Sequence, residues 1–182
     1  MDYKLSTIFM NVLAEFKKVT TFIFDIDGVL TDGTLLVLPD GLQARQMHVK
    51  DGFGMQMAMK NGYRVFIVSG GVSEESKKRL ENLGIKDIHL GVSDKVNFIA
   101  DLLKSNKIKW EEVLYMGDDL PDMPIMSKVG LSACPADAVS EVKNIVKYIS
   151  PVNGGWGCVR DVIEKVLKVN DHWKYETDVT SR

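Results

Sequence analysis

Short apolar stretches alternate with stretches of helical periodicity along most of the chain. The apolar stretches have the length and composition of buried strands, which are predicted at 22–24, 64–68, 87–90, 112–116, 130–133 and 147–150. The periodic stretches predict helices at 53–61, 73–83, 94–105, 121–128 and 158–169. This alternation predicts an α/β fold, a doubly wound and mostly parallel sheet with helices on both faces. The last two strands are predicted to lie at sheet edges.

Three segments depart from the alternation. Apolar residues recur at helical spacing from Leu5 to Phe16, which predicts an amphipathic helix that packs on the sheet or on another subunit. Two strand-forming runs flank the turn signal Pro39-Asp40-Gly41 and predict a β-hairpin flap over 34–49. The polar residues 170–182 predict a flexible tail. We expect one domain spanning 1–182.

Composition and charge narrow the possible partners. The 182 residues are 45% hydrophobic, and 23 basic residues nearly balance 25 acidic ones, so no basic patch indicates nucleic acid or a membrane surface. Cys134 and Cys158 fit neither a disulfide framework nor a zinc site, and are predicted to be free thiols. Charged residues interrupt the apolar character of the first 18 residues, which predicts a cytoplasmic protein.

Two carboxylates follow the first buried strand. Asp25 and Asp27 are separated by one residue, so both can face one pocket at the strand's carboxyl end while Ile26 turns back to the core. Two carboxylates so close repel each other unless a cation or a shared proton intervenes, and Mg²⁺ is the simplest cation with oxygen ligands. A turn or helix cap is the alternative for this short pattern.

Further polar groups follow the later strands. Ser69 follows the strand at 64–68, Lys95 lies in the first turn of the helix at 94–105, and Asp118 and Asp119 follow the strand at 112–116. Singly, these residues fit a turn, a solvated helix position and a helix cap. Together they supply a nucleophile, a proton donor, metal ligands and a cation, which are the groups that phosphoryl transfer needs.

The string Asp25-Ile26-Asp27-Gly28-Val29-Leu30-Thr31-Asp32-Gly33 resembles the first motif of the haloacid dehalogenase superfamily of phosphotransferases. The resemblance implies that Asp25 is the nucleophile and that Asp27 is the general acid and base. It also implies phosphate-binding and metal-binding groups on the later motifs. These are Ser69, Gly70 and Lys95 for phosphate; Asp25, the Asp27 backbone carbonyl and Asp118 for Mg²⁺; and Asp119 and Asp122 nearby.

Further motifs narrow the resemblance to the 3-deoxy-D-manno-octulosonate 8-phosphate phosphatases, which lack a cap domain. The motifs are the hairpin, Val49-Lys50-Asp51-Gly52, Gly91-x-x-x-Lys95, Gly117-Asp118-Asp119 and Gly154-Gly155-x-Gly157-x-x-Arg160. Only about forty residues separate Asp27 from Ser69, which leaves no room for a cap. The resemblance implies a homotetramer that serves lipopolysaccharide synthesis. It also implies that Lys50, Asp51 and Arg160 contact substrate or a neighbouring subunit, although any of them could be a solvated charge.

Two positions depart from that family's pattern. Gly71 and Trp156 stand where the family commonly has basic residues, so the sugar acid itself stays open. A phosphatase of nine-carbon sugar acid 9-phosphates is the alternative enzyme. A phospho-accepting receiver domain and an inactive domain that assembles with a sugar nucleotidyltransferase are the non-enzyme alternatives. Release of phosphate that requires Mg²⁺ would separate the enzymes from both.

Overall fold

The computed structural model describes residues 12–174. In chain order the elements are α1 (12–18), β1 (Thr21–Phe24), a wide turn (Ile26–Leu30), β2 (Leu36–Val37), β3 (Gln43–Ala44), α2 (Val49–Lys60), β4 (Arg64–Val68), α3 (Glu74–Asn82), β5 (Asp87–His89), α4 (Lys95–Asn106), a short 3₁₀ turn (Trp110–Glu112), β6 (Val113–Met116), a second 3₁₀ turn (Leu120–Asp122), α5 (Met123–Met126), β7 (Leu131–Cys134), α6 (Ser140–Lys143), β8 (Tyr148–Ile149) and α7 (Cys158–Val169).

Six strands form one parallel sheet in the order β5-β4-β1-β6-β7-β8. The first strand is central, and its last residue, Phe24, pairs with Ile67 of β4 and Met116 of β6. The predicted doubly wound parallel fold is confirmed. The prediction that both late strands lie at edges is wrong for β7, which β6 and β8 flank. Because all six strands are parallel, their carboxyl ends meet at one edge.

The apolar strand β1 is buried on both faces of the sheet, as strands of parallel sheets are. Phe22 and Phe24 face one core, built with α2 and α7, while Ile23 faces the other, built with α4 and α5. All three side chains are fully buried, and each contributes about 2 kcal/mol through the hydrophobic effect. The strand that precedes the two carboxylates is therefore firmly held in the middle of the sheet.

The hairpin and the helix that follows it differ in length from their predictions. Strands β2 and β3 pair antiparallel around Gly41, whose φ of +84° suits the tight turn, but each has only two residues. Helix α2 begins at Val49, one turn before the predicted start at 53. His48 caps it, since its Nδ1 accepts a hydrogen bond from the Lys50 backbone N–H at 3.2 Å. The segment 50–52 is therefore helical, although Gly52 lowers its helix propensity.

The two ends of the described chain pack on the fold. In α1, Phe16 is buried and contacts the Tyr148 ring edge-on at 5.2 Å. The earlier part of that predicted helix lies outside the described residues. Within the predicted flexible tail, His172 meets the Tyr63 hydroxyl at 2.9 Å and Trp173 packs against Phe53, so this part is not frayed. Residues 175–182 lie outside the described part.

None of the helices described between 12 and 174 is both long enough and apolar enough to cross a membrane.

Candidate active site

A cavity of about 490 Å³ opens at the carboxyl edge of the sheet, where the turns after β1, β4 and β6 meet the start of α4. It brings together eight of the eleven residues that sequence reasoning assigned to the site. These eight are Asp25, Asp27, Ser69, Gly70, Lys95, Asp118, Asp119 and Asp122. The residues come from four separate strand-to-helix connections, and their meeting follows from the parallel order of the strands.

The turn after β1 aims the first carboxylate. Asp25 is 8% exposed, and its Oδ1 accepts a hydrogen bond from the Ile26 backbone N–H at 2.7 Å. Gly28, at φ +81°, lets the backbone turn sharply. A Cβ on Gly28 would lie 2.0 Å from Oδ2 of Asp118, so only glycine allows the two loops to approach this closely.

Lys95 joins the first and last loops electrostatically. It begins α4, and its Nζ donates to Asp25 Oδ2 and to Asp122 Oδ1, both at 2.8 Å. Among the described residues it is the only basic side chain lining the cavity. Burial acts to lower the pKa of this ammonium, but the two carboxylates outweigh burial and raise the pKa above its usual value. Lys95 is therefore a fixed positive charge.

Asp122 holds the loop after β6 in place. Its buried carboxylate accepts hydrogen bonds from Lys95, from the Tyr115 hydroxyl at 2.5 Å, and from the backbone N–H groups of Asp118 at 3.1 Å and Asp119 at 3.4 Å. Burial raises the pKa of Tyr115 well above its usual value, so its hydroxyl stays a donor. Sequence reasoning missed Tyr115, because in an apolar strand it has the pattern of a core residue.

Asp118 is the carboxylate that is free to bind a ligand. Among the described residues, nothing donates a hydrogen bond to its side chain. Burial, together with the nearby Asp122, Asp25 and Asp119, raises its pKa to about 7. Burial also raises the pKa of Asp25, although Lys95 opposes the shift.

These carboxylates fit a divalent cation. Oxygens of Asp25, Asp118 and Asp122 lie within 4.8 Å of one another. Asp122 already accepts four hydrogen bonds, so Asp25 and Asp118 are the pair with oxygens to spare. Hard divalent cations such as Mg²⁺ prefer carboxylate and carbonyl oxygens, and a cation here would offset the burial and the repulsion between carboxylates that raise both pKa values.

The loop after β4 forms the opposite wall of the cavity. Ser69 is 3% exposed, and its Oγ accepts a hydrogen bond from the Gly71 backbone N–H at 3.2 Å. A Cβ on Gly71 would lie 3.0 Å from Oδ2 of Asp27, so a side chain at position 71 would narrow the cavity beside Asp27. Small residues at 69–71 therefore leave space beside the second carboxylate.

Asp27 is paired with an arginine that sequence reasoning did not name. Arg45 leaves the hairpin just after β3, and its Nε and Nη2 donate to Oδ1 and Oδ2 of Asp27 at 2.7 and 3.3 Å. The sequence carries no signal for this pair, because the two residues are 18 positions apart and Arg45 sits in a run that predicts only a strand.

Three predicted contact residues lie outside the cavity. Asp51 is 1% exposed, and its Oδ1 accepts a hydrogen bond from the Arg160 backbone N–H at 2.6 Å, in the first turn of α7. Burial raises its pKa to about 6. Its prediction as a substrate or interface contact is wrong, because it is enclosed between α2 and α7. Arg160 lies against the rings of Phe53 and Trp173, and Lys50 is exposed outside the cavity.

The glycine-rich segment before α7 supports the turn after β1. The Gly155 backbone N–H donates to the Val29 carbonyl at 2.9 Å, and a Cβ on Gly154 would lie 1.9 Å from the Gly28 carbonyl oxygen. These glycines are needed for close backbone packing. Trp156 projects from the same segment and is 63% exposed.

Comparisons with known proteins agree with this geometry. Residues 87–163 match a family model described as haloacid dehalogenase-like hydrolase. The chain is 36% identical over 157 residues to the 3-deoxy-D-manno-octulosonate 8-phosphate phosphatase of Escherichia coli (strain K12). The aligned region covers 86% of this chain and 84% of that protein.

Solved structures give the same grouping. A HAD superfamily (subfamily III A) hydrolase from Legionella pneumophila superposes with a TM-score of 0.91 at 31% identity, covering 93% of each chain. The 3-deoxy-D-manno-octulosonate 8-phosphate phosphatase from Moraxella catarrhalis, solved in complex with magnesium ion, phosphate ion and KDO, gives a TM-score of 0.85 at 30% identity, covering 88% of this chain and 93% of that one. The chain therefore belongs to the haloacid dehalogenase-like hydrolases, in the family of the 3-deoxy-D-manno-octulosonate 8-phosphate phosphatases.

Proposed function

We propose that the chain is a Mg²⁺-dependent phosphatase that hydrolyses a sugar acid phosphate, 3-deoxy-D-manno-octulosonate 8-phosphate, through an aspartyl-phosphate. The observation that carries this proposal is the meeting of Asp25, Asp118 and Lys95 in one cavity. The similarity to phosphatases of this sugar acid phosphate over 86% of the chain supports the substrate.

The reaction proceeds in two displacements at phosphorus. In the first, an oxygen of Asp25 forms a bond to phosphorus, the bond to the sugar oxygen breaks, and Asp27 gives its proton to that oxygen. In the second, water attacks the phosphorus, Asp27 takes the proton of that water, and the bond to Asp25 breaks. Free phosphate and the starting carboxylates remain.

The other residues bind and orient the phosphoryl group. Ser69 and the Gly70 backbone bind its oxygens from the β4 side of the cavity, while Lys95 faces them from α4 and offsets the charge of the attacking carboxylate. Asp122 and Tyr115 keep Lys95 and the loop at 117–119 in place through their hydrogen bonds.

Asp25, Asp118 and the backbone carbonyl of Asp27 would hold the magnesium ion, with Asp119 beside it. When bound, the ion supplies positive charge that neutralises the phosphoryl oxygens and the carboxylates around them.

Mg²⁺ affinity is expected to rise with pH up to about 7 and then level off. The pKa of Asp118 is raised to about 7, so below that pH a bound cation must displace its proton. Titration calorimetry in two buffers of different ionisation enthalpy should count close to one proton released per ion at about pH 6 and fewer at about pH 8. The exposed variant Asp101→Asn should give the same proton counts. Equal affinity at both pH values would contradict this explanation.

The proposal extends to a homotetramer in the cytoplasm, which the family resemblance also implies. The hairpin exposes Leu36 and Val37, each 65% exposed, which supports a homotetramer in which neighbouring subunits cover the hairpins. Lys50 is then a candidate for contacts between subunits. Cys134 and Cys158 are buried free thiols, which suits the reducing cytoplasm.

A screen of phosphate release over sugar acid phosphates tests the function. We expect Mg²⁺-dependent release that is fastest with the eight-carbon 8-phosphate and is lost with EDTA. Nine-carbon sugar acid 9-phosphates belong in the same screen, because Gly71 leaves space beside Asp27 where the family commonly has a basic side chain. Faster release from a nine-carbon ester would show that this ester, and not the eight-carbon 8-phosphate, is the substrate. If no ester releases phosphate with Mg²⁺ present, the proposal that the chain is a phosphatase is overturned.

A further inference from the structure

The hairpin delivers a guanidinium to one of the two catalytic carboxylates. The Arg45 side chain is 7% exposed, whereas the Asp27 side chain that it binds is 40% exposed. Lys95 is already shared between Asp25 and Asp122. Each of the two adjacent carboxylates, Asp25 and Asp27, therefore has its own cation, and the second cation comes from a segment outside the main sheet.

The two oxygens of Asp27 are held unequally. Arg45 Nε lies 2.7 Å from Oδ1, while Nη2 lies 3.3 Å from Oδ2. A planar guanidinium that binds both oxygens fixes the plane of the carboxylate. Oδ1 is therefore the anchored oxygen, and Oδ2 is the oxygen with capacity for a further partner.

The space around Oδ2 agrees with this division. Gly71 lies beside it, and a Cβ there would come within 3.0 Å of Oδ2 and 3.9 Å of Arg45 Nη2. Since residue 71 is glycine, Oδ2 faces a part of the cavity that no side chain fills from that position. A reacting oxygen can approach there.

Arg45 is directed at Asp27 and not at the cavity itself. Its third nitrogen, Nη1, donates to the Gln43 backbone carbonyl at 3.4 Å, so each guanidinium nitrogen has a partner in the protein. Arg45 lies on the wall of a neighbouring cavity and not on that of the catalytic one. Its effect on the reaction therefore passes through the carboxylate.

We propose that Arg45 is a positioning residue that anchors Oδ1 of Asp27, so that Oδ2 carries the proton in both steps of the reaction. In the first step the proton moves from Oδ2 to the departing sugar oxygen as the bond between that oxygen and phosphorus breaks. In the second, a proton of the attacking water moves to Oδ2. This role rests on the proposed function, and it makes the hairpin part of the catalytic machinery within one chain.

The test is a double-mutant cycle between Arg45→Met and Asp27→Asn, measured as single-turnover phosphate release from the sugar acid phosphate. Arg45→Met alone should lower the rate about 10²-fold, the lower end of what a positioned acid or base contributes. In the Asp27→Asn background, the same substitution should lower the rate by less than about a further twofold, because the effects of substitutions that act through one group are not additive. Arg45→Lys, which keeps one charged contact, should restore part of the loss.

Two further measurements separate positioning from binding or folding. KM and inhibition by inorganic phosphate should change less than about twofold in Arg45→Met, because the guanidinium does not touch the substrate. With p-nitrophenyl phosphate the loss in kcat/KM should be far smaller, since that leaving group departs without a proton. Lys104→Met, which removes an exposed cation on α4, should behave as wild type in rate and thermal unfolding.

The opposite results would overturn the role of Arg45. One is a double variant whose loss of rate equals the product of the two single losses. The others are a rise in KM at unchanged kcat, or a wild-type rate in Arg45→Met. Any of these would leave the phosphatase itself intact, because the wild-type chain would still release phosphate. Failure of the wild-type chain on every ester would instead remove the proposed function.

Discussion

Asp25→Asn is expected to lower the rate of phosphate release by at least about four orders of magnitude, as loss of a catalytic nucleophile does. A carboxamide cannot form the bond to phosphorus, although it fills nearly the same volume. Stability should not fall with activity. Burial raises the pKa of Asp25 above its usual value, so its ionised form disfavours the fold above the unfolded-state pKa of about 3.8, and the neutral amide removes that penalty.

The measurement for Asp25 combines turnover, labelling and unfolding. Acid quenching during turnover should trap phosphate covalently on the wild-type chain and not on Asp25→Asn. The midpoint of thermal unfolding without Mg²⁺ should be equal or higher in the variant. Asp101→Asn makes the same chemical change at an exposed position of α4 and should leave rate, labelling and midpoint unchanged. Turnover by Asp25→Asn close to the wild-type rate would show that Asp25 is not the nucleophile.

Lys95→Met is expected to remove both activity and stability. The ammonium is 8% exposed and lies 2.8 Å from both Asp25 and Asp122, so its loss leaves two carboxylates facing each other in a buried site. Breaking a buried ion pair in this way costs about 3–5 kcal/mol. Turnover should fall at least about a thousandfold, because the transferring oxygens lose their protein cation.

The stability loss in Lys95→Met should depend on pH in a definite direction. Lys95 holds the pKa of Asp25 down, so without the ammonium the folded-state pKa of Asp25 rises further and the variant keeps a proton that the unfolded chain releases. Its deficit should therefore be smaller near pH 5 and larger near pH 8, as measured by denaturant unfolding without Mg²⁺. Lys104→Met on the same helix is the matched exposed control. A deficit that is the same at both pH values would show that these carboxylates are not what Lys95 stabilises.

Residues tied to a local pattern could be predicted from the sequence. The carboxylates at 25, 27, 118 and 119 directly follow apolar strands, and a parallel sheet places the carboxyl ends of all its strands along one edge. The place of Lys95 in the first turn was also predictable, because the helical periodicity begins at 94, and in the structure the Asp94 side chain caps this helix.

The rest of the site depends on contacts between distant segments. Arg45 meets Asp27 only because the hairpin folds toward the sheet edge, and no spacing in the sequence records this. Tyr115 has the pattern of a core residue and becomes a hydrogen-bond donor only because Asp122 lies beneath the same loop. Asp51 precedes a glycine and so has the pattern of an exposed loop residue, yet the cap at His48 draws it into a helix packed against α7. The interior place of β7 likewise depends on strand order, which local pattern does not encode.

The contact of the segment 154–155 with the turn after β1 has a consequence during synthesis on the ribosome. Once translation has passed Asp122, all the reacting groups are present in the nascent chain. The backbone at 28–32 still lacks a partner, because the Gly155 N–H that donates to the Val29 carbonyl has not yet been made. A nascent chain whose segment 154–155 is still in the exit tunnel therefore carries every catalytic side chain, but the turn that holds the first two lacks its backbone partner. Premature termination anywhere before 155 should yield polypeptides that bind neither metal nor ester well, however much of the sheet they have formed.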